Sequence, residues 1–176
     1  MAIAIDDTVG GENANSYISL LDAQKYFDGK FYNSTWLGLT EDQQRITLVE
    51  ATRMIDALYN FNGTITNTDP RQALKWPRTG AYDCEGILVD TDTIPQEVKN
   101  AVCEQADYVA VTNAVSTTNN EYEKASVGKG AVDVTYKDGY TVQQIANPVL
   151  DFLRCLGDAI SSATPNGISN NCVLRA

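Results

Sequence analysis

The stretch LTEDQQRITLVEATRMIDALYNFNG, residues 39–63, carries the pattern on which the fold turns. Leu48, Ala51, Ile55 and Leu58 recur at intervals of three and four, which puts them on one face of an α-helix, and Ile46 and Val49 widen that stripe. Thr40 stands just before the run with Gln43 three residues on. That spacing lets the Thr hydroxyl accept from the Gln backbone N–H while the Gln side chain reaches back, a capping box. The helix is expected to run on until Asn62-Gly63, because that pair favours the left-handed turn that ends a helix.

Upstream, NANSYISLLDAQKYFDGK (residues 13–30) places Ser19 three residues before Asp22 and ends in Asp28-Gly29, so a short outer helix is expected from about 19 to 28. Downstream, residues 63 to 93 lose all periodicity and carry Gly, Pro, Asn and Asp at turn positions, which reads as a long loop. In DTDTIPQEVKNAVCEQADYVAVTNAV (residues 90–115) Pro95 falls near a first helical turn, followed by Val98, Ala101, Val102, Gln105, Ala106 and Val109 at helical spacing. A second long helix is expected over about 95 to 115, and STTNNEYEK (residues 116–124) then reads as a polar linker.

In VGKGAVDVTYKDGYTV (residues 127–142) the period switches to two, with Val132, Val134 and Tyr136 on one face and Asp133 and Thr135 on the other. Asp138-Gly139 is the hairpin turn signal, leading to a return strand at Tyr140 to Val142. Asn147 as cap, Pro148 as first residue and Gly157 as stop then frame a short apolar helix with Val149, Leu150, Phe152, Leu153 and Leu156. The expected fold is mainly α: a small helical bundle with a projecting β-hairpin and an extended C-terminal tail. One domain spans 1–157, with the hairpin at about 126–142 inserted before the last helix, and the tail spans 158–176. A two-stranded ribbon is marginal alone in water, so the hairpin should fold onto the bundle or pair with another chain.

With 176 residues, 43% hydrophobic and 20% charged, the chain has the composition of one globular domain. Its net charge of −10 argues against broad neutralisation of DNA phosphates, which needs clustered Lys and Arg, although a small local basic site stays open. No apolar run of about 18 residues and no basic-then-apolar leader is seen, so no membrane is expected as a partner and synthesis is expected in a cytoplasm. Histidine is absent, which removes Ser-His and Cys-His nucleophile pairs and the commonest general base, so no enzyme is expected. Cys84, Cys103, Cys155 and Cys172 form no C-x-x-C pair. A four-thiolate zinc site would need distant segments brought together, and free, mostly buried thiols are the preferred reading.

Two constellations invite chemistry. In QALKWPRTGAYDCEG (residues 72–86), Trp76-Pro77-Arg78 offers an indole face and a guanidinium fork for a ligand. The preferred reading is structural: Trp76 anchors the loop, Pro77 fixes its exit and Arg78 bonds nearby carbonyls or carboxylates. Asp83, Glu85, Asp90 and Asp92 around Gly86 are rich in oxygen, but the spacing lacks the alternate-ligand pattern of a calcium loop. A solvated acidic loop is expected there, and no cofactor or metal.

Three stretches taken together, NANSYISLLDAQKYF, the segment from Gln72 to Ala106 with its Trp-Pro-Arg and Ile94-Pro95, and KASVGKGAVDVTYKDG followed by IANPVLDFLRCL, resemble a family of tailed-bacteriophage head-tail adaptors. The same family is also described as DnaT-like single-stranded-DNA-binding. The resemblance covers residues 13 to 156. It implies a structural virion protein whose subunits form a dodecameric ring joining the capsid portal to the neck, next to a stopper or tail-terminator protein. The ring continues the channel for double-stranded DNA without sequence-specific contact. It further implies that Trp76, Pro77, Arg78, Ile94 and Pro95 form a structural joint, and that the hairpin, with Val127, Val132, Val134, Tyr136, Asp138, Gly139 and Tyr140, meets neighbouring subunits. Ile168, Val173, Leu174 and Arg175 in the tail would dock on the portal. A replication accessory that binds single-stranded DNA is the alternative, and it calls for a basic groove with aromatic side chains.

Overall fold

The computed structural model of the chain describes residues 3–112, 122–128, 131–136 and 145–160. In chain order the elements are α1 (Leu20–Asp28), α2 (Ser34–Leu37), α3 (Glu41–Leu58), β1 (Tyr59–Phe61), β2 (Thr64–Ile65), β3 (Arg78–Thr79), α4 (Gln96–Thr112), β4 (Tyr122–Gly128), β5 (Ala131–Tyr136), α5 (Asn147–Leu153) and β6 (Gly157–Ala159). The architecture is mainly α, with α4 packed between α3 and α5, and α1 and α2 lying on α4.

The caps set the helix starts. The Ser19 hydroxyl accepts from Asp22 N at 3.1 Å to open α1, and Thr40 and Gln43 form the reciprocal capping box of α3. From α3, Leu48, Ala51 and Ile55 are fully buried, and from α4 so are Val98, Ala101, Val102 and Ala106. Val149 and Leu153 of α5 join the same core, together with Phe27, Trp36 and Trp76. Each fully buried Leu, Ile or Phe contributes about 1.5–3 kcal/mol of transfer free energy, so this interface dominates the stability. Phe27 and Trp36 stack with centroids 4.2 Å apart, which seats α2 on α1. Tyr26 and Lys30 both donate to Glu104, at 2.5 Å and 3.0 Å, and so tie α1 to α4.

Several expectations are corrected. Ile46 does not widen the core stripe of α3: it is 53% exposed, because two residues from Leu48 is about 200° round a helix. Gln44 and Thr52 are buried on that helix instead, and Gln44 Nε2 donates to Trp36 O at 3.2 Å. The helix stops at Leu58, four residues before Asn62, since Tyr59 is already extended and opens β1. Gly63, at φ 74°, turns the chain between β1 and β2, and a Cβ there would collide with the Thr79 carbonyl. The segment after residue 63 is not wholly loop: β2 pairs antiparallel with β3, a strand pair too short to show any period.

At the other end of the chain, α5 begins one residue early, with Ala146 rather than Asn147 at the cap position; no side chain caps the first turn, and the Ala146 N–H donates to Gln105 Oε1 at 3.0 Å. Gly157 is the first residue of β6, which pairs antiparallel with β1, so Asp158 and Ala159, expected in the tail, are held by Asn60 and Tyr59.

The expected return strand at Tyr140 to Val142 lies outside the described residues, but β5 has an upstream partner the sequence reading did not assign. Strand β4 pairs antiparallel with β5, with Val127 opposite Val132 and Gly128 opposite Ala131. Tyr122 to Lys124, expected in a linker, belong to β4, because a ribbon strand needs no apolar face to pair. Asp138, Gly139 and Tyr140 lie outside the described residues, as do Ile168, Val173, Leu174 and Arg175. Among the described residues, no helix is long and apolar enough to cross a membrane.

Candidate functional site

The joint is built around two buried residues, Trp76 and Gln72. Trp76 is 1% exposed and meets the Phe61 ring edge-on at 5.7 Å. Its backbone N–H donates to the Tyr17 hydroxyl at 3.2 Å, and that hydroxyl donates to Asp56 Oδ1. Asp56 Oδ2 accepts from Lys75 N at 3.0 Å, and Lys75 Nζ donates to Tyr59 O at 2.7 Å. The loop is thereby tied to α3 and to the segment before α1. Burial pushes the Asp56 carboxyl above its ordinary range, and burial followed by the Asp56 charge pushes the Tyr17 hydroxyl well up.

Gln72 has no counterpart in the sequence expectations. Its Oε1 accepts from Thr66 N (3.1 Å) and Asn67 N (2.9 Å), while its Nε2 donates to Leu74 O (2.8 Å) and Pro77 O (3.0 Å). One side chain thus satisfies four backbone groups in a loop that has little ladder of its own. A glutamine among turn residues carries no distinguishing signal in sequence, because its partners are chosen only when the loop closes.

Arg78 opens β3, and each of its guanidinium nitrogens donates to a backbone carbonyl: Nε to Asn62 at 2.6 Å, Nη2 to Gly63 at 2.6 Å, Nη1 to Lys75 at 3.0 Å. A fork spent on carbonyls offers no bidentate seat for a phosphate. Ile94 is buried, and the Pro95 carbonyl accepts from Val98 N and Lys99 N at 3.1 and 3.2 Å, so this pair starts α4.

The acidic loop is a tight turn. Asp83 Oδ1 accepts from Glu85 N at 2.9 Å and Ile87 N at 2.8 Å, and Gly86 turns with φ 78°. Asp83 is therefore engaged in shaping the turn. Among the described residues no group of three or more His, Cys, Asp or Glu is placed to hold a metal.

Cys84 and Cys155 are joined in a disulfide, which corrects the expectation of free thiols at these two positions: residues 71 apart in sequence are brought together by the return of the chain after α5. Beside it lies a cavity of about 130 Å³ lined by Asp83, Glu85, Glu97, Phe152 and Leu156 as well as the two cysteines. Cys103 is a free, buried thiol, pushed up to about 12 mainly by burial. Cys172 lies outside the described residues.

Six of the cations are engaged within the chain. Lys25 pairs with Asp22, Lys30 with Glu104 and Asp107, Arg45 with Glu41 and Asp42, and Arg53 with Glu50. Lys75 and Arg78 bond carbonyls as described above. The prominent exposed apolar groups include Phe31 and Tyr32, 90% and 81% exposed in the α1–α2 connection, and Tyr82, Ile87 and Leu88 on the acidic turn. Strands β4 and β5 form a sheet of their own, separate from the β1–β6 and β2–β3 pairs.

Comparison with known proteins gives one family: the model described as "Putative DnaT-like ssDNA binding protein" matches residues 1–171. No curated protein and no solved structure matches.

Proposed function

We propose a function from the premise that this chain belongs to the putative DnaT-like ssDNA-binding family: within it, the chain is a non-catalytic structural subunit, a head-tail adaptor of a tailed bacteriophage. Its copies form a dodecameric ring in the virion neck, between the portal protein and a stopper or tail-terminator protein. The ring surrounds passing double-stranded DNA without reading its sequence.

The observation that carries this reading is the β4–β5 ribbon. Among the described residues it is a two-stranded sheet that pairs with no other strand, and such a ribbon can add a strand from a neighbouring copy. A ribbon of this size gains stability by such addition. Charge supports the same reading: with a net charge of −10 per copy, a ring repels the DNA backbone, which favours passage over capture. The joint at Trp76 to Arg78 keeps the helical body rigid while the ribbon engages a neighbour. The segment after β6, with Ile168, Val173, Leu174 and Arg175, would dock on the portal.

Sedimentation of the purified protein with and without portal rings, followed by electron microscopy, tests the proposal. Co-migration as a second stacked ring is the expected result, and a protein that stays at the top of the gradient beside intact portals refutes it.

The family description favours a second reading, single-stranded DNA binding, for which the exposed Phe31 and Tyr32 rings would serve as stacking faces. Salt-sensitive binding of a labelled oligonucleotide, lost in Phe31→Ala/Tyr32→Ala, would establish that reading. Absence of binding at low salt would remove it.

A further inference from the structure

We propose that the Cys84–Cys155 disulfide is a reversible lock on the turn formed by residues 81–89, and that the carboxylates around it select which thiols open it. The turn is internally bonded: Asp83 N donates to Ile87 O, Val89 N to Ala81 O, and Tyr82 bridges Leu88. Among the described residues no hydrogen bond joins residues 82–88 to residues 152–157, so the disulfide is the tie between this turn and the corner where α5 runs into β6. That corner matters for the C-terminal end of the body, since Leu156 O and Cys155 O accept from the Asn62 backbone and side chain, and β6 follows at once.

Cys84 is exposed and Cys155 half-buried, and both line the open cavity. An accessible disulfide is the labile kind. A small-molecule thiolate attacks the sulfur of Cys84, the more exposed of the two residues; the bond to Cys155 breaks and its electron pair leaves on Cys155, which takes a proton from water. A second thiolate attacks the mixed disulfide and frees Cys84. Two small thiols are oxidised to one small disulfide, and two protein thiols are gained. A small disulfide reverses both steps.

Asp83 and Glu85 flank Cys84 in the chain, and Glu97 of α4 lines the same cavity. The approaching thiolate is itself an anion, so a thiol carrying a second negative group is repelled further, while one carrying an ammonium group is drawn in. Three carboxylates at this range are worth about tenfold in rate between those two at low salt, an effect that shrinks once the Debye length falls to about 3 Å at 1 M salt. Among the described residues the Glu85 and Glu97 side chains make no hydrogen bond, so neutralising them leaves the turn intact.

The test reduces the whole protein with cysteamine, 2-mercaptoethanol and 2-mercaptoethanesulfonate, comparing rates at equal thiolate concentration by alkylation and peptide mass. Hydrogen exchange is followed in parallel. The expected result is two new thiols, at Cys84 and Cys155, appearing fastest with cysteamine and slowest with the sulfonate. The spread should collapse at 1 M salt and in Glu85→Gln/Glu97→Gln, and the amides of Asp83, Ile87 and Val89 should exchange faster after reduction. Equal rates for the three thiols at low salt overturn the charge selection. Unchanged thiol number on reduction, or unchanged amide exchange, overturns the lock.

Discussion

Replacing Gln72 by alanine removes the hub of the joint without touching the helical core. Of the four bonds the side chain makes, two leave partners with something else: Thr66 N and Pro77 O still face each other at 3.3 Å. The Asn67 N–H and the Leu74 carbonyl are left without the partner they had; Asn67 is exposed and Leu74 half-buried, so both keep some access to water. Each therefore costs about 1 kcal/mol, the low end for a stranded polar group, and the substitution should cost about 2 kcal/mol in all. At about 2–4 °C per kcal/mol for a domain of this size, the melting temperature should drop by about 4–8 °C, read by circular dichroism and checked by the urea midpoint. Gln72→Glu separates the two halves of the argument. It keeps the acceptor for Asn67 N but sets a carboxylate against Leu74 O and Pro77 O, so it should be at least as damaging at neutral pH. Because that carboxyl would titrate above its unfolded value of about 4.3, stability should be recovered below that value and lost as pH rises. A Gln72→Ala protein melting within about 2 °C of the parent would refute the reasoning.

Other perturbations test other parts. Asp56 is held above its ordinary 3.8 by burial, so its contribution to stability is full below 3.8 and is lost as pH rises through the raised value. The deficit of Asp56→Asn in urea unfolding should therefore shrink from pH 4 to pH 7, and a deficit that grows would contradict this. Cys84→Ser/Cys155→Ser opens a loop of 71 residues' separation, for which the chain-entropy relation gives about 4 kcal/mol; unchanged unfolding in urea would rule that out. A Cβ at Gly157 would lie 2.7 Å from Phe61 Cα and also collide with the Asn60 carbonyl. Gly157→Ala should thus pry β6 from β1 and speed exchange of the Asn62 and Ile160 amides. Cys103, fully buried and with its thiol pushed up to about 12, should resist iodoacetamide until the protein unfolds.

The elements legible in the sequence are those decided by neighbours in the chain. The Ser19 cap of α1, the Thr40–Gln43 box of α3 and the apolar spacing of α4 from Val98 to Val109 are all local, set by residues three or four apart, and the structure has each of them. Even there the local signal misleads where a partner outside the helix intervenes. The α3 run ends at Leu58 because Tyr59 to Phe61 pair with Gly157 to Ala159, a contact from the far end of the chain. At α5 too a distant residue intervenes, since Gln105 of α4 accepts from the N–H of Ala146, which takes the cap position expected of Asn147.

The sequence by itself determined a mainly α body, the order of α1, α3, α4 and α5 though not the short α2, the presence of a ribbon before the last helix and a net charge of −10. Only the tertiary structure decided that Arg78 spends its fork on three carbonyls, that Gln72 holds the joint, that β5 pairs back to Tyr122–Gly128, and that Cys84 meets Cys155. Helix caps and amphipathic stripes follow from dihedral preferences and hydration within a few residues. Disulfides, strand partners and the acceptors of a buried side chain are selected by which distant segments the collapsed core brings within about 3 Å, and no local preference encodes that.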